Sequence, residues 1–488
     1  MPREVKIHSV KYNFVMNFIL TASSFIFPLI TFPYVARVLG AAGNGKIAFA
    51  SSVANYFMMV ASLGIPTYGI RACARVRENE DELSKTAQEI LLINLSVTLL
   101  TALTYLACVL LVPEFREEKV LFLINGLNIL LNMFGANWLY QALEQYDYIT
   151  FRNILFKMIS VILMFALVHA EGDYVVYAAI TVLAAVGSNV LNFIRLPRLM
   201  KFKRYESYDF KRHLKPIITL FAQNLAVSVY TNLDTVMLGF MKSSDVVGYY
   251  NAATKLKGLQ LSLVMSLGTV LLPRMSLYAK KEDALRFEGL MVKSLNFTTC
   301  LAIAVAVYCV VESTDMVRLL AGQGYDPAIP AMQIITLAVV ANGMSGVLGT
   351  QTLIALGREG AVLYSVLVGA IVDFALNLAL IPVFDAGGAA LSTTVTEFAV
   401  VLIQVVALRS MLVRNRRGLH LLRYVFCGLF AGLISALIGS VCAAMPAMVR
   451  LVVTFIVFDI AFLSSLFVAK DEFALSFLQI AKERVGRE

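Results

Sequence analysis

Charged residues gather in clumps along this chain, and between the clumps run apolar stretches of about 20 residues. Wound as an α-helix, a stretch of that length crosses about 30 Å of hydrocarbon. In such a medium every backbone N–H and C=O must find its partner within the structure, so only helices and closed barrels span. Barrels are written as short alternating segments; these runs are continuous. Of the 488 residues 59% are hydrophobic and 15% charged, whereas a soluble domain needs about a quarter charged residues to cover its surface. The chain therefore reads as an all-α polytopic membrane protein.

Fourteen spans are expected, over 13–38, 46–65, 87–111, 119–141, 150–169, 175–195, 216–240, 246–272, 290–311, 329–354, 360–383, 387–409, 421–443 and 448–469. The second is interrupted near Gly64-Ile65-Pro66, and the eighth carries Lys255 and Lys257. Pro28, Pro33 and Pro66 mark places where the first two spans bend. Arg3, Lys6 and Lys11 precede the first apolar run, but that run is too long for a signal peptide and lacks a small-residue cleavage pattern, so it is retained. Short cytoplasmic loops collect Lys and Arg. With the N-terminus inside, the inside segments hold 32 of them and the outside loops 7, with two in the eighth span. Both termini are then cytoplasmic.

The six cysteines are scattered without a CxxC pair and there are four histidines, so neither a redox nor a zinc site is expected. An internal repeat is visible. Val38 to Lys46, VLGAAGNGK, is echoed by Met237 to Gly248, MLGFMKSSDVVG; Ser62-Leu63-Gly64 by Ser266-Leu267-Gly268; Asn132 and Gln141 by Asn342 and Gln351. The matches keep their order with a slowly growing offset. They divide the chain into an N-terminal lobe of six spans (1–195), a basic cytoplasmic linker (196–215), a second six-span lobe (216–410), and spans 13 and 14 with a cytoplasmic tail (411–488). Parallel repeats of this kind imply a cavity between lobes and alternating access.

Three stretches carry a family resemblance. FPYVARVLGAAGNGKIAFASSVANYFMMVASLGIPTYGIR from Phe32, NWLYQALEQYDYITFRN from Asn137 and NLDTVMLGFMKSSDVVGYYNAATKL from Asn232 resemble the polysaccharide-transporter family, the flippases of O-antigen and lipid-linked oligosaccharides. The likeness covers about residues 10–410 and belongs to a superfamily that includes multidrug exporters and lipid II flippases. It implies transport of an undecaprenyl-pyrophosphate glycan from the inner to the outer leaflet of the bacterial cell membrane. Drug exporters of this fold usually have twelve spans, so spans 13 and 14 favour the lipid-linked branches.

Ionisable residues inside a bilayer cost several kcal/mol and usually face a cavity or a partner. Asp234 lies in the seventh span, Asp373 and Asn377 one turn apart in the eleventh, Thr393 and Glu397 one turn apart in the twelfth, with Ala389 on the same stripe. These oxygen-bearing groups suit a hard cation such as sodium. The lipid II branch has such a site, and the resemblance places it on Asp234, Asp373, Asn377, the Ala389 carbonyl and Thr393, with Asp and Asn in swapped order. Packing hydrogen bonds, an Asp234–Lys255 pair, and proton coupling through Asp373 or Glu397 stay open as alternatives. Lys255, with Lys257 two residues on, is the candidate cation for the carrier pyrophosphate. Arg37 and Arg71 are candidates in the other lobe, with Arg152 and Lys157 as further ones. The lipid II flippases carry arginines within their first two spans, where Asn13, Asn17 and Asn55 stand here. Asn137, Trp138, Gln141 and Glu144, beside Asp147, form a polar and aromatic cluster suited to sugar, or an interfacial belt.

Anionic lipid suffices as partner for the basic segments 195–215 and 409–423, which removes any need for nucleic acid. No long outer loop, catalytic arrangement or phosphate loop is present, so an enzyme is not expected, and beyond Na+ or H+ no cofactor is. A monomer is expected, with glycan polymerase or glycosyltransferases as candidate partners. A cation-coupled exporter of drugs or toxins is the competing function.

Overall fold

The computed structural model describes residues 9–265, 275, 277–279 and 283–471. Among them every regular element is a helix. Ten are long and apolar enough to cross a membrane. Two of those ten, Val15–Arg75 and Glu359–Ala407, each fold two spans across a break, and the helices Lys211–Met241 and Ser244–Met265 bring the total to fourteen.

In chain order the helices are α1 (Val10–Ser62), α2 (Ile65–Arg75), α3 (Glu80–Leu111), α4 (Pro113–Glu117), α5 (Lys119–Gly135), α6 (Asn137–Ala142), α7 (Tyr146–Leu167), α8 (Tyr174–Val182) and α9 (Asn189–Arg195). Then follow α10 (Lys211–Met241), α11 (Ser244–Met265), α12 (Ala284–Val311), α13 (Ser313–Leu320), α14 (Ala328–Ser345), α15 (Glu359–Ala407), α16 (Arg409–Arg414), α17 (Leu421–Val441) and α18 (Ala447–Val468). The repeat partners at Ser266-Leu267-Gly268 lie outside the described residues.

The turn expected between the first two spans, at 38–46, falls at Gly40, whose φ of 65° is left-handed; Pro28 and Pro33 sit within helical backbone of the first span. Proline removes one N–H that neighbouring groups can compensate; a left-handed residue redirects the whole chain, and glycine takes it without a Cβ penalty. The buried Asn44 amide donates back to the Gly40 carbonyl at 2.8 Å and ties the bend. The interruption expected near Gly64 is present: Leu63 and Gly64 are both left-handed, and Pro66 opens α2 where its missing N–H has no helical partner to lose.

Packing divides the chain into two compact units, Met1–Gly248 and Tyr249–Glu488. In the first, α1 packs on α3, α5, α7 and α10. Gly64 lets the α10 backbone come close: a Cβ there would stand 2.7 Å from the Phe221 nitrogen. The lobes read from the repeat are a division of a different kind, by sequence ancestry, and remain a proposal. In the second unit, α12 packs on α14 and α17, α14 on α15, and α17 on α18. Gly428 and Gly432, one turn apart on α17, face Ile303 and Val307 of α12 so closely that a Cβ would come within 2.8 and 2.6 Å of those side chains. Small residues at this spacing are how membrane helices gain close van der Waals contact without a hydrophobic drive.

Candidate functional site

The long helix α15 reverses direction at Asp385, where φ is 52°, and this folds the eleventh and twelfth spans against each other. Asp373, 1% exposed, receives a hydrogen bond from the Ser392 hydroxyl at 2.9 Å on Oδ1, one from Thr396 at 3.5 Å, and one from the Asn377 amide at 3.3 Å on Oδ2. Thr393 donates to the Ala389 carbonyl at 3.0 Å and lies 3.0 Å from the Tyr250 hydroxyl. Glu397 is buried one turn further along. The structure thus brings Asp373, Asn377, Ala389 and Thr393 into one buried oxygen-rich neighbourhood and adds Ser392 and Thr396. Such a donor set suits a hard cation, and it equally satisfies the carboxylate by hydrogen bonds alone. Asp234 is buried on α10, in the other unit. Among the described residues no group of three or more His, Cys, Asp or Glu is placed to hold a metal ion.

In the first unit, the left-handed residues Ala136 and Glu144 break the helix before and after α6. Trp138 is 5% exposed, and its ring lies on Gly69 of α2, where a Cβ would come within 2.6 Å of it. Asn137 is equally committed, accepting from Arg152 at 2.9 Å and from Asn192 at 3.0 Å. Gln141 and Glu144 are placed otherwise. They line a cleft of about 450 Å³ together with Asn13, Asn17, Arg77 and Tyr146. Glu144 accepts from Arg77 at 2.7 Å and from the Asn13 amide at 3.3 Å. The four residues of the expected sugar cluster therefore separate into two that pack inside the unit and two that face the cleft.

The basic candidates are scattered. Arg37 is exposed and donates to the Pro33 carbonyl at 2.7 Å; Arg71 is exposed beside the Tyr68 ring. On α11 the Lys255 side chain is exposed and Lys257 half-buried, as their two-residue spacing requires. Lys157, midway along α7, donates to the Ser23 and Ser24 hydroxyls at 2.9 and 3.0 Å. Arg152 is 2% exposed, and its partners are the Asn137 side chain and the Ser188 carbonyl. Neither of these two cations touches a carboxylate among the described residues.

Sequence reading missed how the basic linker is fastened. Glu89 of α3, fully buried, accepts from Arg212 at 2.5 Å and from the Asp209 backbone N–H at 2.8 Å, and lies 2.8 Å from His213, whose other ring nitrogen is 2.7 Å from the Tyr68 hydroxyl. Lys201 and Lys203 pair with Glu80 and Asp81, and the Lys203 ammonium holds the Asp81 carboxyl below its ordinary range. The signal available was the acidic run Glu78 to Glu82, with Glu89 two turns on, ahead of a linker of opposite charge.

Broken helices with buried acids, hydroxyls and cations inside apolar spans define a multi-pass membrane protein of the transporter kind. Solved structures agree on the fold: the inward closed lipid II flippase MurJ superposes with a TM-score of 0.75 over 94% of this chain and 99% of that one, at 14% identity. An inward-facing multidrug transporter of the MATE family superposes at 0.61, covering 80% and 99% at 11% identity. The family model described as polysaccharide biosynthesis protein matches residues 10–278, and the chain belongs to that family. Its relatives include putative O-antigen transporters of Escherichia coli K12, 22% identical over 84% of this chain and 98% of that one, and of Shigella dysenteriae, 25% identical over 82% and 100%. A probable flippase of Haloferax volcanii, AglR, is 23% identical over 76% of this chain and 77% of its own length.

Proposed function

We propose that this protein flips an undecaprenyl-pyrophosphate-linked oligosaccharide from the inner to the outer leaflet of the bacterial inner membrane by alternating access, with both termini cytoplasmic. The observation that carries the reading is the membership of the polysaccharide biosynthesis family, joined to relatives named as O-antigen transporters whose full length this chain spans. Two extra helices beyond the repeat, α17 and α18, speak for the lipid-linked branch over the drug exporters. In this reading Lys255 meets the pyrophosphate, aided by Lys257, Arg37 and Arg71, and Asp234 acts as its counter-charge. The network around Asp373 supports coupling to Na+ or H+, with Asp234, Asn377, Ala389, Thr393 and Glu397 contributing. The linker and the 409–423 segment meet anionic lipid, and the protein works as a monomer alongside glycosyltransferases.

The test is complementation of a strain whose own flippase gene is deleted, reading surface glycan by gel and protein level by immunoblot. The wild-type gene is expected to restore display, Lys255→Ala to reduce it at least tenfold, and Asp373→Ala to remove any dependence on external sodium. Restored resistance to toxic cations without restored glycan would move the protein to the exporters.

A further inference from the structure

The cleft beside α6 has a chemistry unlike that of the intramembrane cations. Arg77 and Glu144 are paired at 2.7 Å, so its charges cancel within its own wall. Asn17, Gln141 and Tyr146 supply amides and a ring, over an apolar floor of Ile70, Ala74 and Ala142. A planar amide presents a donor and an acceptor side by side, the spacing offered by vicinal sugar hydroxyls, and a carboxylate accepts from two hydroxyls at once. Small apolar residues and a ring suit the C–H faces of a pyranose. Among the described lining residues a phosphate would find no unneutralised positive charge. The volume, about 450 Å³, lies in the range of small-ligand sites and admits a mono- or disaccharide. Glu144 further holds a left-handed backbone, φ 56°, which a residue with a Cβ adopts at a cost and which the surrounding structure must enforce.

We propose that this cleft is a docking site for an uncharged pyranose of the transported glycan, with Asn17 and Gln141 as the residues that select it. The proposal rests on the flippase reading for the identity of its ligand and assigns sugar selection to a place apart from the candidate phosphate cations. It also moves sugar recognition away from Asn137 and Trp138, whose side chains are committed to packing.

The chain carries its own probe. Trp138 is the single tryptophan, one turn from Gln141 and resting on Gly69 next to the lining residue Ile70. Purified full-length protein in lipid nanodiscs would be titrated with glucose, galactose, N-acetylglucosamine and, as control, inorganic pyrophosphate, following Trp138 emission. A saturable change with at least one sugar and none with pyrophosphate is expected, with Gln141→Ala and Asn17→Ala each raising the apparent Kd at least tenfold at unchanged Tm. No saturable change with any sugar, a change that survives both substitutions, or a response to pyrophosphate alone overturns the proposal. Flipping of a fluorescent lipid-linked saccharide in proteoliposomes separates the two readings. Sugar binding without flipping leaves the cleft standing and removes the flippase, whereas undiminished flipping and binding in both variants does the reverse.

Discussion

A guanidinium buried to 2% exposure among helices needs a reason, and Arg152 has one in the break at Ala136. Where the fourth span turns left-handed, the Gly135 carbonyl loses its helical partner; Asn192 donates to it, and Asn137 bridges Asn192 to Arg152. The arginine closes this chain of amides and fills the volume between α6, α7 and the π-helical turn at Leu183–Gly187. A buried charge facing only neutral partners is held at a cost, and an apolar side chain of similar volume often replaces such a group with little loss, whereas truncation leaves a cavity. Arg152→Met is therefore expected to cost less than about 1 kcal/mol and Arg152→Ala about 2–4 kcal/mol. Thermal unfolding of the detergent-solubilised variants measures this, and equal losses would show that the charge itself holds the fold. At this scale the sequence was readable where spacing does the work: Asp373 and Asn377, four apart, share a face and bond each other. It was silent on Ser392 and Thr396, because hydroxyls are common in packed membrane helices and nothing in their spacing names the carboxylate they meet.

Elements are legible from sequence when a medium dictates their length, which is why the apolar runs translate into helices within a few residues. Their ends are less so, since caps and breaks depend on single torsions: the stretch 38–46 was legible as a turn, but that Gly40 carries its left-handed torsion was not. The segment after α13 illustrates a local tie that sequence distance hides. Arg318 grips Asp326 by two parallel bonds of 2.9 and 2.8 Å and holds its carboxyl below the ordinary carboxylate range. Because the folded value is the depressed one, the tie is complete above the unfolded pKa of about 3.9 and is lost as pH falls through the folded value. Amide exchange over Gly322–Asp326 should then be faster in Arg318→Gln than in wild type at neutral pH. The difference should persist down to about pH 5 and vanish toward pH 2, where the carboxyl is protonated. A difference that survives full protonation would assign the tie to packing.

For the molecule as a whole, two stretches that resemble each other in sequence are also in contact. The two hairpin turns that matched in sequence, 38–46 and 237–248, meet backbone to backbone: a Cβ on Gly45 would collide with the Ser244 carbonyl oxygen, and one on Gly248 with the Ala41 carbonyl oxygen. The exchange is reciprocal, each turn offering a glycine to the other. Phe240 adds rings to the same end by packing on Phe49 and Phe115, with centroids 5.3 and 5.6 Å away. Sequence alone could match the turns but not place them in contact, since a repeat fixes kinship and leaves distance open. In the alternating-access cycle proposed above, whatever closes one end of the path would have to break, and a junction of bare backbone leaves no side chain able to move aside for an added methyl. Gly45→Ala and Gly248→Ala should therefore act alike, parting the turns while both units stay folded. In the proposed orientation, with the N-terminus cytoplasmic, these turns would lie outside, so a cysteine at Ala41 should react several-fold faster with a membrane-impermeant maleimide on intact cells in either variant than in the parent. Glycan display should fall in step with that gain. If only one glycine mattered, or if labelling stayed at the parental rate while display was lost, the reciprocal contact would be packing and not a closure that the transport cycle opens.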